Sequence, residues 1–443
     1  MLSKPKIENQ SSFFFTLEDT LNQRHPLYIL ANKVDWQMFE EEFKVLYCLD
    51  NGRPAKPIRL MVGLLILKHI RNISDESVVE QWAENLYYQY FCGCNEFVNA
   101  APCEASELVH FRKRIGEKGI ELILKESIRI NGEDSNDDDV SVDTTVQEKN
   151  ITFPTDDKLH KKIIKKVLEI AKKEQLPVRQ TYSRTLKKLS VDQRFRNHPK
   201  NKSKAKKADK RVKTIAGRLV RELDRNLVPE SKHQKDIELF KQVLEQKRNS
   251  KNKIYSLHEP ETQCISKGKE HKKYEFGNKA SFVFTQNTGV IVGALGFRNE
   301  FDGHTLEPAL EQTKRLVGKA PKKAAVDRGY RGRKQVGETQ ILIPTPFNNK
   351  KQTAYQQKKL KQAHQQRAAI EPVIGHLKTD HRLGRNFYKG IVGDNINIML
   401  AAAGFNFKRM MNKWKLILFD FFQKIVFSFF NTFFNTNNII LAF

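Results

Sequence analysis

The chain has 443 residues, with 78 Lys or Arg against 51 Asp or Glu and a net charge of +27, long enough for two or three domains around a sizeable core. A charge of that size excludes an acidic disordered chain and makes an anionic polymer the default partner, while 39% hydrophobic and 10% aromatic residues permit a folded globule. Five cysteines, few and odd in number, argue against a secreted disulfide scaffold and for a reducing cytoplasm.

The first residues carry no apolar core ahead of a small-residue cleavage site, so no signal peptide is expected. Residues 12–130 read as mostly helical. Pro57 suits a first helical turn, followed by Leu60, Leu64, Leu65 and His69 at helical spacing. Ser74 is placed to cap the next helix, with Asp75 and Glu76 in its first turn and Val78, Val79, Trp82 and Leu86 behind, ending near Gly93. A helix pair follows between Ala105 and Ile130, with Leu108, Phe111 and Ile115 on one face. Short helices joined by tight turns fit a DNA-contacting helix-turn-helix module and equally a small bundle.

Residues 131–139 form an acidic break, the expected linker between a helical domain at 1–130 and a second domain at 140–415. Val140, Val142, Thr144 and Val146 then alternate with polar residues as a strand does. Three helices are expected over 157–175, 210–227 and 234–248, within a basic helical insertion at 157–250. Between Lys161 and Ser250 there are 28 Lys or Arg and 10 Asp or Glu. That concentration favours a surface that tracks phosphates over a merely solvated one. The stretch 196–209 (RNHPKNKSKAKKAD) reads as a mobile low-complexity loop.

Strands are expected at 274–276, 281–284 and 290–297, the last two joined by a hairpin turn at 286–289. A helix over 305–316 leads to short strands at 324–326 and 341–343, and a polar helix over 353–370 follows. The second domain is therefore mixed α/β with a long helical insertion. From Leu416 the chain is rich in Phe, Ile and Leu. Asp420, Gln423, Lys424, Ser428, Asn431 and Asn435 form one polar stripe there, which favours an amphipathic helix at 416–443, packed on the domain or a second subunit, over a membrane span.

Three carboxylates stand out. Asp143 interrupts a strand pattern. Asp327 ends an apolar strand and is followed by Arg328, Gly329, Tyr330, Arg331 and Gly332. Glu371 lies between Arg367, about 40° away on a helical projection, and Lys378, about 20° away, with His364 to the same side. Pro372 conflicts with one continuous helix there: either the helix kinks, or a new one begins with Pro372 in its first turn. Three acids in a strongly basic chain suit phosphodiester displacement, in which two Mg²⁺ ions activate the attacking oxygen and stabilise the leaving one. Cys92, Cys94, Cys103 and His110 lack the usual zinc-knuckle spacing and are set aside.

With Val142-Asp143-Thr-Thr-Val146, Asp302-Gly-His-Thr-Leu306, Asp327-Arg-Gly-Tyr-Arg-Gly332 and Ile370-Glu371-Pro-Val-Ile-Gly-His-Leu-Lys378 in that order, the chain resembles DDE-type bacterial insertion-sequence transposases of the insertion-sequence-five group. Segments from Leu17 to Gly93 are similar to that group's N-terminal domain. The resemblance implies an RNase H-like mixed sheet with helices, preceded by an all-α domain. It implies Asp143, Asp327 and Glu371 as the catalytic, metal-binding triad, holding two Mg²⁺ ions with Mn²⁺ as a substitute. Arg367 and Lys378 become flanking cations on transposon-end DNA, with Arg328 and Arg331 as further DNA contacts. Gly268, His271, Tyr274 and Gly277 are candidates to line the site. The expected partners are transposon-end DNA, target DNA and a second copy of the chain in a synaptic homodimer, with no small-molecule substrate and no membrane. The expected reaction is cleavage at the element's ends and transfer of the 3′-hydroxyl into target DNA. The alternatives are an RNase H-like nuclease without strand transfer and an inactive DNA-binding descendant.

Overall fold

A computed structural model of the chain describes residues 16–48, 52–228, 230–247, 249–266, 272–298, 300–343 and 353–440, and only the backbone of 359–360, 363–364, 366 and 418–440. The chain divides into two compact units, Met1–Glu148 with Asn278–Phe443, and Lys149–Gly277.

The first unit opens with helices α1 (Leu17–Thr20), α2 (Pro26–Lys33), α3 (Trp36–Lys44), α4 (Ile58–Arg71), α5 (Asp75–Glu84), α6 (Leu86–Phe91) and α7 (Ala105–Asn131). Local signals set their bounds. The Ser74 hydroxyl accepts from the Ser77 amide and caps α5, whose first turn carries Asp75 and Glu76. Asn85 ends α5 and caps α6 by accepting from the Tyr88 amide, so two helices stand where the pattern predicts one running toward Gly93. Helix α7 changes direction at Gly116 (φ 59°), giving the two arms expected of a pair. Helix α4 is apolar nearly all round and is buried nearly all round, as such a helix must be.

Two cations in this helical region are buried and share one acid. Lys68 on α4 lies 2.8 Å from Asp75, and the Arg112 guanidinium grips both Asp75 oxygens at 2.8 and 2.7 Å. Tyr388, far along the chain, accepts a hydrogen bond from Lys68 at 2.9 Å, and its ring lies 4.4 Å from the Arg112 guanidinium carbon. This cluster fastens the N-terminal helices to the segment that follows the candidate site.

After α7 come strand β1 (Asp139–Lys149) and, beyond the second unit, β3 (Glu275–Thr285), β4 (Ile291–Phe297), helix α12 (Asp302–Val317), β5 (Lys323–Ala325), β6 (Gln335–Val336), β7 (Thr339–Leu342), α13 (Ala354–Arg367), α14 (Ile370–Asp380), β8 (Arg385–Asn386) and α15 (Gly390–Ile440). The strands lie in the order β4-β3-β1-β5-β7-β6, with β8 also on β1. β1, β5 and β7 run parallel, whereas β3–β4 and β6–β7 are antiparallel hairpins. The first unit is thus a mixed α/β sheet preceded by an all-α region, and one apolar core runs from Leu27 through Val142 and Phe282 to Trp414.

The second unit holds α8 (Asp156–Lys173), α9 (Ser183–Asp192), α10 (Pro199–Asn226), α11 (Gln234–Glu245) and the short β2 (Gln263–Ile265), which pairs with Glu275–Gly277 of β3. Its separate core includes Ile163, Val212, Leu219 and Phe240.

Three expectations need correction. The supposed loop at 196–209 is largely helical from Pro199 onward. Proline suits the first helical turn, and the only apolar residues among the lysines, Ala205 and Ala208, are the buried ones, in phase with Val212 and Ile215. Helix α9, not among the three expected helices, has a short apolar stripe, Leu186 and Leu189, that packs on the second unit's core while only partly buried. The two strands expected around 274–284 are one, because buried Gly277 and Asn278 continue it, with the Asn278 amide donating to the Asp394 carboxylate.

Helix α15 begins well before the expected C-terminal helix at 416. Its first half is core, including Met399, Phe407 and Met411, while Leu416 and Ile417 are exposed. The polar stripe from Asp420 to Asn435 falls where only the backbone is described. Among the described residues no helix is long and apolar enough to cross a membrane.

Candidate active site

Sheet register brings the first two acids together. β1 and β5 pair in parallel as Asp139 with Lys323, Val140 with Ala324 and Ser141 with Ala325. Asp143 follows the last paired residue of β1 by two positions, within that strand, and Asp327 lies two positions beyond Ala325, just past the carboxyl end of β5, the end of a parallel strand at which ligands of such sheets bind. Asp143 accepts from the Thr144 amide at 2.8 Å, and its other oxygen lies 3.6 Å from the Arg367 guanidinium. Asp327 caps the 3₁₀ turn Arg328–Tyr330 by accepting from the Gly329 amide at 2.7 Å.

A further carboxylate borders Asp327. Asp302, in the first turn of α12, accepts from the Thr144 hydroxyl and from Lys279 of β3, each at 3.0 Å. A Cβ on Gly329 would stand 2.9 Å from an Asp327 oxygen and 3.0 Å from an Asp302 oxygen. Only glycine lets both carboxylates close on the backbone there. Beneath lies Tyr330, 1% exposed, its hydroxyl without a hydrogen-bond partner among the described residues. Burial pushes the phenol's pKa far above its ordinary range, and the negative charges of Asp302, Asp143 and Asp327 push it the same way.

Glu371 lies in the first turn of a separate helix. A new helix, α14, begins at Ile370 with Pro372 in its first turn, resolving the Pro372 conflict in favour of two helices. The projection that set Arg367 and His364 on the face of Glu371 therefore does not apply across this break; it holds only for Lys378, on the same helix. Glu371 is exposed and Lys378 half-buried, and the His364 side chain lies outside the described residues. Arg367, on α13, reaches Asp143 instead. Arg328 and Arg331 are exposed on either side of Tyr330. Gly268 and His271 lie outside the described residues, and Tyr274 and Gly277 belong to the second unit. Among the described residues, no three His, Cys, Asp or Glu side chains are arranged to hold a metal ion.

Sequence reasoning gave Asp302, Lys279 and Tyr330 no role. Alone, Asp302 reads as an acid stabilising a helix N-terminus. The available signal was the motif Asp302-Gly-His-Thr-Leu306, one of those that carry the resemblance.

Two family models match the chain, one described as "Transposase domain (DUF772)" over residues 15–114 and one as "Transposase DDE domain" over residues 251–407. The chain is also similar to a Rhizobium meliloti protein described as "Uncharacterized protein ORF8 in nfe locus", 40% identical over 201 residues, 44% of this chain and 97% of that one. No solved structure matches.

Proposed function

The chain belongs to the DDE transposases, and on that ground we propose that it cuts DNA at the ends of an insertion sequence and joins the freed 3′-hydroxyl to target DNA. The observation that carries this reading is the parallel pairing of β1 with β5 through Ser141 and Ala325, two residues short of Asp143 and Asp327. The strand order β4-β3-β1-β5-β7, with one acid within β1 and one just past β5, supports an RNase H-like sheet.

The donor set suits a hard divalent cation, since Asp143, Asp327 and Glu371 offer only carboxylate oxygens. Two Mg²⁺ ions, or Mn²⁺ in their place, would supply activation of the attacking oxygen and stabilisation of the leaving one. The chain's own part is positioning and charge. Lys279 and Thr144 orient Asp302, which borders Asp327 across Gly329. Arg367 balances Asp143 and, with Lys378, Arg328 and Arg331, offers positive charge to the phosphates of the transposon end. A synapse of two ends calls for two copies of the chain.

The test uses the reading frame's flanking DNA, whose short inverted repeats define the substrate. Purified protein with Mg²⁺ is expected to nick that end and to join a pre-cut 3′ end to a plasmid. Nicking without joining would reduce the reading to a nuclease, and neither activity would leave an inactive descendant. Replacing Gly329 with alanine crowds the Asp302 and Asp327 carboxylate oxygens at 3.0 and 2.9 Å. It is expected to slow cleavage by less than the roughly 100-fold of a misplacement near 1 Å, with little change in the thermal unfolding midpoint.

A further inference from the structure

We propose that the groove between α10 and α11 in the second unit binds the phosphate backbone of duplex DNA. The choice of DNA among polyanions rests on the transposase reading; the site itself rests on three observations.

Helix α10 has two faces. Ala205, Ala208, Val212, Ile215, Leu219 and Leu223 are buried, whereas Lys210, Lys213 and Arg221 are exposed. Their positions form a stripe about 16 Å long, the axial rise of roughly five phosphates on one DNA strand.

The charge on that stripe is surplus. Most of the acids that could offset it are taken by other cations: Asp157 by Lys161, Asp192 by Lys204, Asp209 by Arg196, Glu174 by Lys232 and Asp224 by Lys241. Lys210, Lys213 and Arg221 have no ion-pair partner among the described residues. On a merely solvated helix face, acids alternate with bases and close such pairs.

The surface is also concave. Lys210, Lys213, Arg221 and Lys241 line a groove of about 740 Å³ against a single acid, Glu245, a space far larger than one small anion needs. Gly217 stands in mid-helix, where glycine costs about 1 kcal/mol relative to alanine. A Cβ there would stand 3.3 Å from a guanidinium nitrogen of Arg221. A side chain at this position would crowd the Arg221 guanidinium, which lines the same groove.

The test measures binding of the full-length protein to a random-sequence duplex over a series of salt concentrations. Each phosphate contact contributes about 0.9 to the slope of log affinity against log salt. The triple variant K210Q/K213Q/R221Q is therefore expected to have a slope shallower by about 2.7, with helix content unchanged because the buried face of α10 is untouched. The charge-conserving variant K210R/K213R/R221K is expected to keep the original slope. An unchanged slope in the glutamine variant would overturn the proposal. So would a loss confined to single-stranded RNA or to anionic vesicles while duplex binding stayed intact. Because the readout is equilibrium binding, failure here is distinguishable from failure of the transposase reading, which shows as absent cleavage and joining.

Discussion

Asp327→Ala is expected to lower Mg²⁺-dependent cleavage of the transposon end by about 10³-fold or more, equivalent to roughly 4 kcal/mol of lost transition-state stabilisation. Asp327 follows the end of β5 by two residues, and Asp143 on β1 cannot supply the missing oxygens. Alanine also removes the cap on the Arg328–Tyr330 turn, a structural loss of about 1 kcal/mol, so the alanine variant alone mixes two effects. Asp327→Asn separates them. Its amide oxygen can still accept from the Gly329 amide, but the negative charge is gone. If the charge matters, the asparagine variant is as inactive as alanine while its thermal stability matches the parent. Recovery of cleavage in Asp327→Asn would mean that this residue serves only the turn. The same comparison at Glu371 tests whether that exposed acid joins the other two once DNA is bound, and Glu371→Gln is expected to be equally inactive.

The largest effect on stability is expected from Asp75→Ala. It strands two cations, Lys68 and Arg112, whose side chains are only 3% and 5% exposed. Breaking a buried pair in this way costs about 3–5 kcal/mol, measurable as a lower denaturant midpoint. Replacing all three residues with apolar ones of similar volume should recover much of the loss, since the cost lies in the unpaired charges. A pH dependence follows. Burial raises the Asp75 pKa, but the hydrogen bonds and charges of Arg112 and Lys68 outweigh it and hold the group at about 2, against 3.8 for a free side chain. The depressed pKa stabilises the folded state above pH 3.8, and that contribution, about 2 kcal/mol, is lost as pH falls through 2. Acid titration of the parent should show this loss and Asp75→Ala should not. Equal acid sensitivity in both would remove the cluster from the account.

Much of the fold was legible because local signals and long-range packing agree. Ser74 caps where its spacing to Ser77 predicts, the 286–289 turn closes the β3–β4 hairpin, and Val140, Val142 and Val146 are buried as their alternation requires. Asp143 and Asp327 could be singled out because each interrupts or ends an apolar strand. Their pairing, however, depends on a parallel register between strands 184 residues apart, which nothing in either strand encodes alone. Asp302 was hidden for a related reason. Its partners, Thr144 and Lys279, come from two other strands, and helix-start chemistry explains an acid there equally well. Helix α10 was misread because lysine composition masks a two-alanine stripe. The break before Glu371 turned on Pro372, which was legible as a conflict whose resolution needed the structure.

The proposed role of Asp143 and Asp327, with Glu371, is to grip divalent ions beside β1 and the carboxyl end of β5. Anomalous scattering from crystals of the protein bound to its pre-cut end and soaked with Mn²⁺ tests this. Two strong peaks are expected within coordination distance of Asp143 and Asp327, at least one reached by Glu371. Mn²⁺ peaks elsewhere, with these carboxylates still held by Arg367 and Lys279 alone, would contradict it.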